Sequence, residues 1–414
     1  MKRGPRPSSG AAPDPARAPR PDASGRGRRA GAPAPRRRRS AAGSRRATAP
    51  LVVAALALAV VPVAHAAGGQ RLDVTAGLTT AYDSNLLQYS DTQLDQFENG
   101  AHPDRFSLET RDDLVWSPAL ALAWQLDSGG GRRHLVRLRG TGDFHRRNGT
   151  ADFRAASLSW HESFGGARRL ALGVYLLPHY YLRQLLAEDE VPPFPGLSRY
   201  RRAEFGLGIA AASWTERVAH DIQIELGYQF ERRRYDAAFR ERDSDTHQGG
   251  LAVSWTRRHH SLEGRFQFRA EGARAEDGDE TAGNTDDADV GYRGPGGTVT
   301  GRADLARRGP WRLSADLALE MEARDFVSGR PRDTYHRGRA DRRAAVEAGV
   351  RAQLRRRVSA RGFWRYETND ARLGAPAPAS ADAGSYHQQV VGLALDVAAA
   401  LWRSPSSRET ETEP

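Results

Sequence analysis

Residues 114–144, LVWSPALALAWQLDSGGGRRHLVRLRGTGDF, decide how this chain is read. On the first arm Leu114, Trp116, Pro118, Leu120, Leu122, Trp124 and Leu126 take every second position, with Val115, Ser117, Ala119, Ala121, Ala123 and Gln125 between them. Gly129, Gly130 and Gly131 then supply the positive φ that a tight hairpin needs. On the second arm Val136, Leu138, Gly140, Gly142 and Phe144 alternate with Arg137, Arg139, Thr141 and Asp143. A period of two sends the two sets to opposite faces of a β-sheet. The apolar face is then either the core side of a soluble sheet or the lipid side of a barrel with a polar lumen.

The same alternation recurs from Leu72, Val74, Ala76 and Leu78 to Val391, Leu393, Leu395 and Val397. It predicts about fourteen strands of roughly ten residues, joined alternately by short turns and mostly longer polar tips. One such tip is charged, from Glu231 to Asp245. Phe205, Leu207, Ile209 and Ala211 lead to Trp214 one residue out of phase, which predicts a bulge. The fold class that follows is all-β, a transmembrane up-and-down antiparallel β-barrel of about 14 strands, with short periplasmic turns and long outer loops.

Residues 1–49 are mostly Arg, Pro, Ala, Gly and Ser without apolar periodicity. The apolar run Leu51 to Val61 follows, then Ala64, His65 and Ala66. Basic flank, short apolar run and A-x-A ending predict a secretory signal peptide cleaved after Ala66. The run is too short for a spanning helix, which needs about 20 residues. The chain thus divides into a leader (1–66), a barrel (67–402) and a disordered polar tail (403–414). Residues 1–66 hold 14 of the 62 basic and 2 of the 51 acidic residues, so the remainder carries 48 against 49, a net of −1. The basicity sits in the segment expected to be removed, which argues against a nucleic-acid partner. The chain has no cysteine, hence no disulfide framework and no thiol chemistry.

Aromatic residues favour lipid over a soluble core. With short turns on the periplasmic side, Trp124, Phe164, Trp214, Trp255 and Trp311 stand at periplasmic strand ends. Trp116, Phe144, Tyr180, Phe230 and Tyr366 stand at the outer ends, and Trp364 is assigned to the same girdle. Two belts of rings are what a bilayer selects, because an amphipathic ring is most stable at headgroup level. The opposite face carries Arg137, Arg139, Glu225, Glu263, Arg265, Asp316, Glu320, Glu347, Arg351, Arg361 and Arg365. Such charge suits a wet lumen and would be costly in a dry core unless paired. Small residues at Ala119, Ala121, Gly206, Gly208 and Ala210 are expected to face the lumen as well.

The first strand ends Tyr82, Asp83, Ser84, Asn85, Leu86. This resembles the Y-D-[SD]-N-[VIL] opening of several Gram-negative barrel-porin families, among them exopolysaccharide-operon barrels and the barrel of surface lipoprotein assembly modifiers. Asp and Asn in succession also form Asx turns where a strand meets a loop. No helical repeat region precedes the barrel as it does in the lipoprotein modifiers, and the chain does not end in an aromatic residue. The resemblance implies a place in the outer membrane, contact with its lipid and lipopolysaccharide, insertion by the barrel assembly machinery, and periplasmic export partners.

Catalytic and metal signals are weak. His161 follows Ser157 and Ser159 at inward spacing, but His179 is expected at the opposite rim, so no triad forms. His259 and His260 are adjacent in a turn and point apart. The acidic stretch Glu276 to Asp287 lacks the spacing of a calcium loop, and Gly294 to Gly297 lacks the helix and Lys of a phosphate loop. No cofactor or metal is expected, and no enzymatic activity. The function classes that remain are a narrow, weakly selective pore or an outer-membrane export or secretion component. The alternatives are a non-conducting structural or adhesive barrel and, further off, an outer-membrane hydrolase.

Overall fold

In the computed structural model of the chain, the described residues are 69–186, 200–273, 290–309, 311–329, 333, 335–374 and 382–404. The leader with its cleavage after Ala66, the acidic stretch 276–287 and residues 405–414 of the tail lie outside them. The strands in chain order are β1 (Gln70–Asp83), β2 (Asp113–Gly129), β3 (Arg132–His145), β4 (Phe153–Phe164), β5 (Arg168–Leu186), β6 (Tyr200–Arg217) and β7 (Ile222–Tyr235). They continue as β8 (Ser244–Arg257), β9 (His260–Ala273), β10 (Tyr292–Arg308), β11 (Trp311–Phe326), β12 (Ala340–Arg355), β13 (Val358–Arg372) and β14 (Tyr386–Arg403). Each pairs antiparallel with the next, and β1 pairs with β14 to close the barrel. Closure leaves no edge, so the strand backbone finds its hydrogen bonds inside the sheet without water.

The opening hairpin has the register its alternation requires: Leu120 opposes Gly140, Leu122 opposes Leu138 and Trp124 opposes Val136. Gly130 and Gly131 hold φ of 60° and 76° at its tip. The β2–β3, β4–β5, β6–β7, β8–β9, β10–β11 and β12–β13 connections are short and lie at the end where β1 begins and β14 finishes. Longer connections gather at the other end, the loop end.

Outward positions are apolar and open. Leu317 is 47%, Met321 69% and Leu393 71% exposed, a belt that no layer of the described residues covers. Among the described residues no helix is long and apolar enough to cross a membrane. A closed antiparallel barrel with an apolar outside and a charged inside is the transmembrane solution.

Three expectations need correction. Strands run from 12 residues in β4 to 19 in β5, longer than the apolar pattern indicates. Residues 231–235 and 244–245, read as loop, extend β7 and β8 instead. There Arg232 grips Asp245 bidentately at 2.8 and 3.0 Å, so polar pairing continues the ladder beyond the apolar belt. Second, β6 has no bulge. Its ladder to β7 is unbroken, pairing Leu207 with Arg233, Ile209 with Glu231 and Thr215 with Glu225. Phe205, Leu207 and Ile209 therefore share the lumenal face, while Gly206, Gly208 and Ala210 lie outside with Trp214.

The irregularity is in β5, where the register shifts between Leu177 and Tyr180 and again between Tyr181 and Arg183. This turns Tyr180 inward, so it leaves the outer belt. Its ring meets Phe153 at 5.5 Å and Phe205 at 5.2 Å. Third, the β1–β2 loop is not simply polar. It contains helix α1 (Asp91–Glu98), capped by Ser90, whose Oγ accepts from the Gln93 N–H at 3.2 Å.

Candidate functional site: the lumen and its outer mouth

Charged residues on the lumenal face of β7, β9, β11, β12 and β13 form a network of ion pairs. Arg365 on β13 reaches Glu320 on β11 at 2.8 Å and Glu367 at 3.0 Å. Arg361 bonds Glu347 at 2.7 Å and also donates to Asp316 on β11. Glu367 receives both arms of Arg343 at 2.7 Å and the Tyr386 hydroxyl at 2.8 Å. Further round, Arg269 on β9 bonds Glu231 on β7 at 2.8 Å, and Arg265 bonds Glu225 on β7 at 3.1 Å and Glu263 at 3.3 Å.

Many of these pairs skip a strand. Adjacent strands are about 4.8 Å apart, so Arg361 and Asp316 stand two spacings, about 10 Å, from each other. The strand between them supplies the space. A Cβ on Gly349 of β12 would lie 2.7 Å from Asp316 Oδ2 and 2.8 Å from Arg361 Nη2. Ala252 of β8 sits directly between Glu225 and Arg265 in the ladder. On β10, Gly294 and Gly296 separate Arg269 from Glu322, which approach to 3.9 Å. The stretch 294–297 is thus a strand segment that opens room for a salt bridge.

The other wall differs. Arg137 and Arg139 on β3 project as exposed side chains, flanked across the ladder by Ala123 and Ser159 and by Ala121 and Ser157. Among the described residues no carboxylate pairs with either. Ala119 and Ala121 of β2 face the same side. Ser159, Gly173, Ala211, Ser213 and Gly227 border a recess of about 250 Å³ there. Arg351 on β12 also has no ion pair among the described residues, and it opposes Arg361 and Ser314. His161 Nε2 lies 3.2 Å from Ser159 Oγ on this open wall, with no carboxylate bonded to the imidazole among the described residues. No group of three metal-ligating side chains occurs among them either.

The girdle residues divide as follows. Trp124 pairs with Val136 near the turn end, and Phe164 and Trp214 meet there at 5.9 Å. The Trp255 indole donates to Asp221 in the β6–β7 turn at 3.0 Å. Trp311 starts β11 and is 55% exposed. Trp116 pairs with Phe144 toward the loop end. Trp364 stacks on Tyr366 on the outer face of β13.

The β1–β2 loop crosses the mouth at the loop end. The Asp83 carboxylate accepts from the Asn85 N–H at 2.9 Å, an Asx turn, and the Asn85 amide donates to Tyr89 and His387 carbonyls at 2.8 and 3.0 Å. On the β13–β14 side Gln88 donates to Glu367 at 3.2 Å, and Ser90 meets Asp382 at 2.5 Å. On the β5 side Arg183 donates to the Leu87 carbonyl at 2.9 Å, and Ser107 meets the Tyr181 hydroxyl at 2.6 Å. Leu87, Tyr89, Leu94, Phe106 and Leu108 form a small core with Ala151 and Tyr181. Burial pushes the Tyr89 hydroxyl up to about 12. Between this loop and the inner faces of β5–β7 and β9–β12 lies a vestibule of about 720 Å³. Sequence reasoning missed this plug. Its apolar residues follow no period, and the only signal was their presence in a segment too long for a plain turn.

No protein-family model matches the chain, and no curated protein matches it. Among solved structures it is similar to the outer membrane channel DcaP of Acinetobacter baumannii, with a TM-score of 0.41 and 10% identity over 80% of this chain and 98% of that one. It is also similar to an anion-selective porin from Comamonas acidovorans, with a TM-score of 0.40 and 12% identity over 80% and 99%. A third is a bacterial polysaccharide outer membrane secretin, with a TM-score of 0.38 and 11% identity over 78% and 97%. By its closed ring of fourteen antiparallel strands, its apolar outside and its charged lumen, the chain has the architecture of a transmembrane up-and-down β-barrel.

Proposed function

We propose that the protein is a narrow, weakly anion-preferring pore of the bacterial outer membrane, reached after signal-peptide export and insertion by the barrel assembly machinery. The observation that carries this reading is the division of the lumen. The charges of β7–β13 are mostly spent on one another, whereas Arg137 and Arg139 stand exposed without counter-charges among the described residues. A pore's selectivity follows the unpaired charge at its wall, since a paired residue contributes little field. Lipid and lipopolysaccharide surround the apolar belt in this reading, and periplasmic export partners meet the turn end if the pore serves secretion.

The test is conductance in planar bilayers under a salt gradient. The purified barrel is expected to pass current and to favour anions. Arg137→Glu with Arg139→Glu is expected to move the preference toward cations in a barrel that still folds, judged by a migration difference between unheated and boiled samples. An unmoved preference removes these residues from the conducting path. A second reading, a sealed structural or adhesive barrel, is favoured by the loop core across the mouth. A wild-type barrel that passes no current would establish it over the pore.

A further inference from the structure

We infer that the vestibule is a binding site for an organic carboxylate that carries a flat apolar ring. The inference deepens the pore reading and rests on it for the solute's access to the lumen. A cavity of about 720 Å³ is the size of a small-molecule site, and its lining mixes cations with aromatic rings as such a ligand requires.

Six of the lining side chains are arginines and three are carboxylates. Four of the arginines have acidic partners: Arg233 with Glu271, Arg242 with Glu241, Arg324 with Glu322 and Arg339 with Asp341. Arg105 and Arg183 have none among the described residues. Arg105 donates to the Gln96 side-chain oxygen at 3.0 Å, and Arg183 to the Leu87 carbonyl at 2.9 Å. Each guanidinium carries five N–H donors, so both keep donors without an anionic acceptor.

Both cations are held by rings. Arg183 lies 5.4 Å from the centroid of Tyr89, and Arg105 lies 5.6 Å from that of Phe106. Those two rings meet edge to face at 5.4 Å, so one aromatic pair fixes both guanidiniums at the vestibule wall. A carboxylate accepts two parallel N–H bonds from such a fork. Across the cavity Tyr235, Tyr292, Phe326 and Tyr335 present aromatic side chains, Tyr292 and Phe326 5.8 Å apart. Arg324 lies 5.0 Å from the Tyr292 centroid and Arg339 lies 5.0 and 4.6 Å from those of Phe326 and Tyr335, so these rings meet a ligand ring by their edges and by exclusion of water. An inorganic anion uses the arginines alone and a neutral arene the rings alone, whereas an arene carboxylate uses both.

Isothermal titration of the full chain, folded in detergent, with benzoate, acetate and benzyl alcohol tests this. Benzoate is expected to bind about tenfold more tightly than either of the others. Arg105→Gln with Arg183→Gln is expected to weaken benzoate about tenfold. Arg183 also holds the loop, so Arg105→Gln alone, which gives up one bond to Gln96, is the safer variant and is expected to cost about threefold. Benzoate binding equal to acetate, or unchanged in a folded Arg105→Gln barrel, overturns the site. Benzoate preference in a barrel that passes no current keeps the site and removes the pore. Current without benzoate preference keeps the pore and removes the site.

Discussion

The two walls of the lumen are built on one backbone plan and use charge in opposite ways. On β7–β13, acids and arginines face one another across intervening strands that carry Gly349, Ala252, Gly294 or Gly296 at the crossing points. On β2–β6, equally small residues such as Ala119, Ala121 and Gly173 have few charges to let through, so the space stays open and Arg137 and Arg139 have no acidic partner among the described residues. Small residues thus serve two ends. Between complementary charges they permit a two-strand bridge, and between neutral neighbours they widen the lumen. How many charges face the lumen is a poor guide to its field, because most of them are neutralised by pairing.

The largest expected contrast between the walls comes from removing a network centre. Glu367 is 3% exposed and takes bonds from Arg343, Arg365, Tyr386 and Gln88. Glu367→Ala leaves arginines uncompensated in a mostly buried site and is expected to cost about 3–5 kcal/mol in urea unfolding. Arg139→Ala, exposed and unpaired, is expected to change stability by no more than about 0.5 kcal/mol. Equal effects would mean that the braced wall is not braced.

Next is the facing of the strands. Leu317→Arg puts a cation into the lipid belt and is expected to cost about 2–4 kcal/mol, with impaired assembly. Ala119→Arg, on the lumenal face of the open wall, is expected to assemble nearly as the wild type. A reversal of that order would break the face assignment.

A smaller effect is expected where the bridge crosses β12. Gly349→Leu drives a side chain between Asp316 and Arg361, and overpacking of this kind costs about 1–3 kcal/mol. At Gly173, on the open wall, a Cβ meets nothing nearer than 3.8 Å, and the same change there is expected to cost less. Unfolding midpoints of the two variants sharpen the comparison of the walls directly.

The smallest effect concerns the loop above the braced wall. His336 is buried there, hydrogen-bonded through Nδ1 to Asp333 at 2.9 Å. Burial, aided by Arg242 and Arg339, holds its pKa below the usual value, although Asp333 opposes this. A depressed pKa means that the fold favours neutral imidazole. The stability this adds is present above about pH 6.5 and is lost as pH falls through the lower folded value. Hydrogen exchange of residues 335–339 is expected to quicken on acidification while the strands stay protected. His336→Gln should flatten that dependence.

What the sequence by itself determined was the class of sheet, the strand number and most facings. Period-two alternation is a local property, and the hairpin at 114–144 needs only its own residues to place Leu122 and Leu138 on one side and Arg137 and Arg139 on the other. The inward positions of Asp316, Glu320, Glu347, Arg361 and Arg365 were legible for the same reason. Their partners were not. Arg361 takes Glu347 from the adjacent β12, but it and Arg365 also reach past β12 to Asp316 and Glu320 on β11, which depends on register and, for Arg361, on Gly349 between.

Face assignment failed where alternation was ambiguous. Phe205 to Ala211 are apolar on one side and small on the other, so only the ladder to β7 and the two shifts in β5 reveal which side meets lipid. The plug was decided by tertiary structure alone. Leu87, Tyr89, Leu94, Phe106 and Leu108 have no periodic spacing, and what buries them is the meeting of two loops and β5 at the mouth. Alternation is written in neighbouring residues, whereas a plug and a two-strand bridge join residues far apart in the chain, and only the closed barrel brings those together.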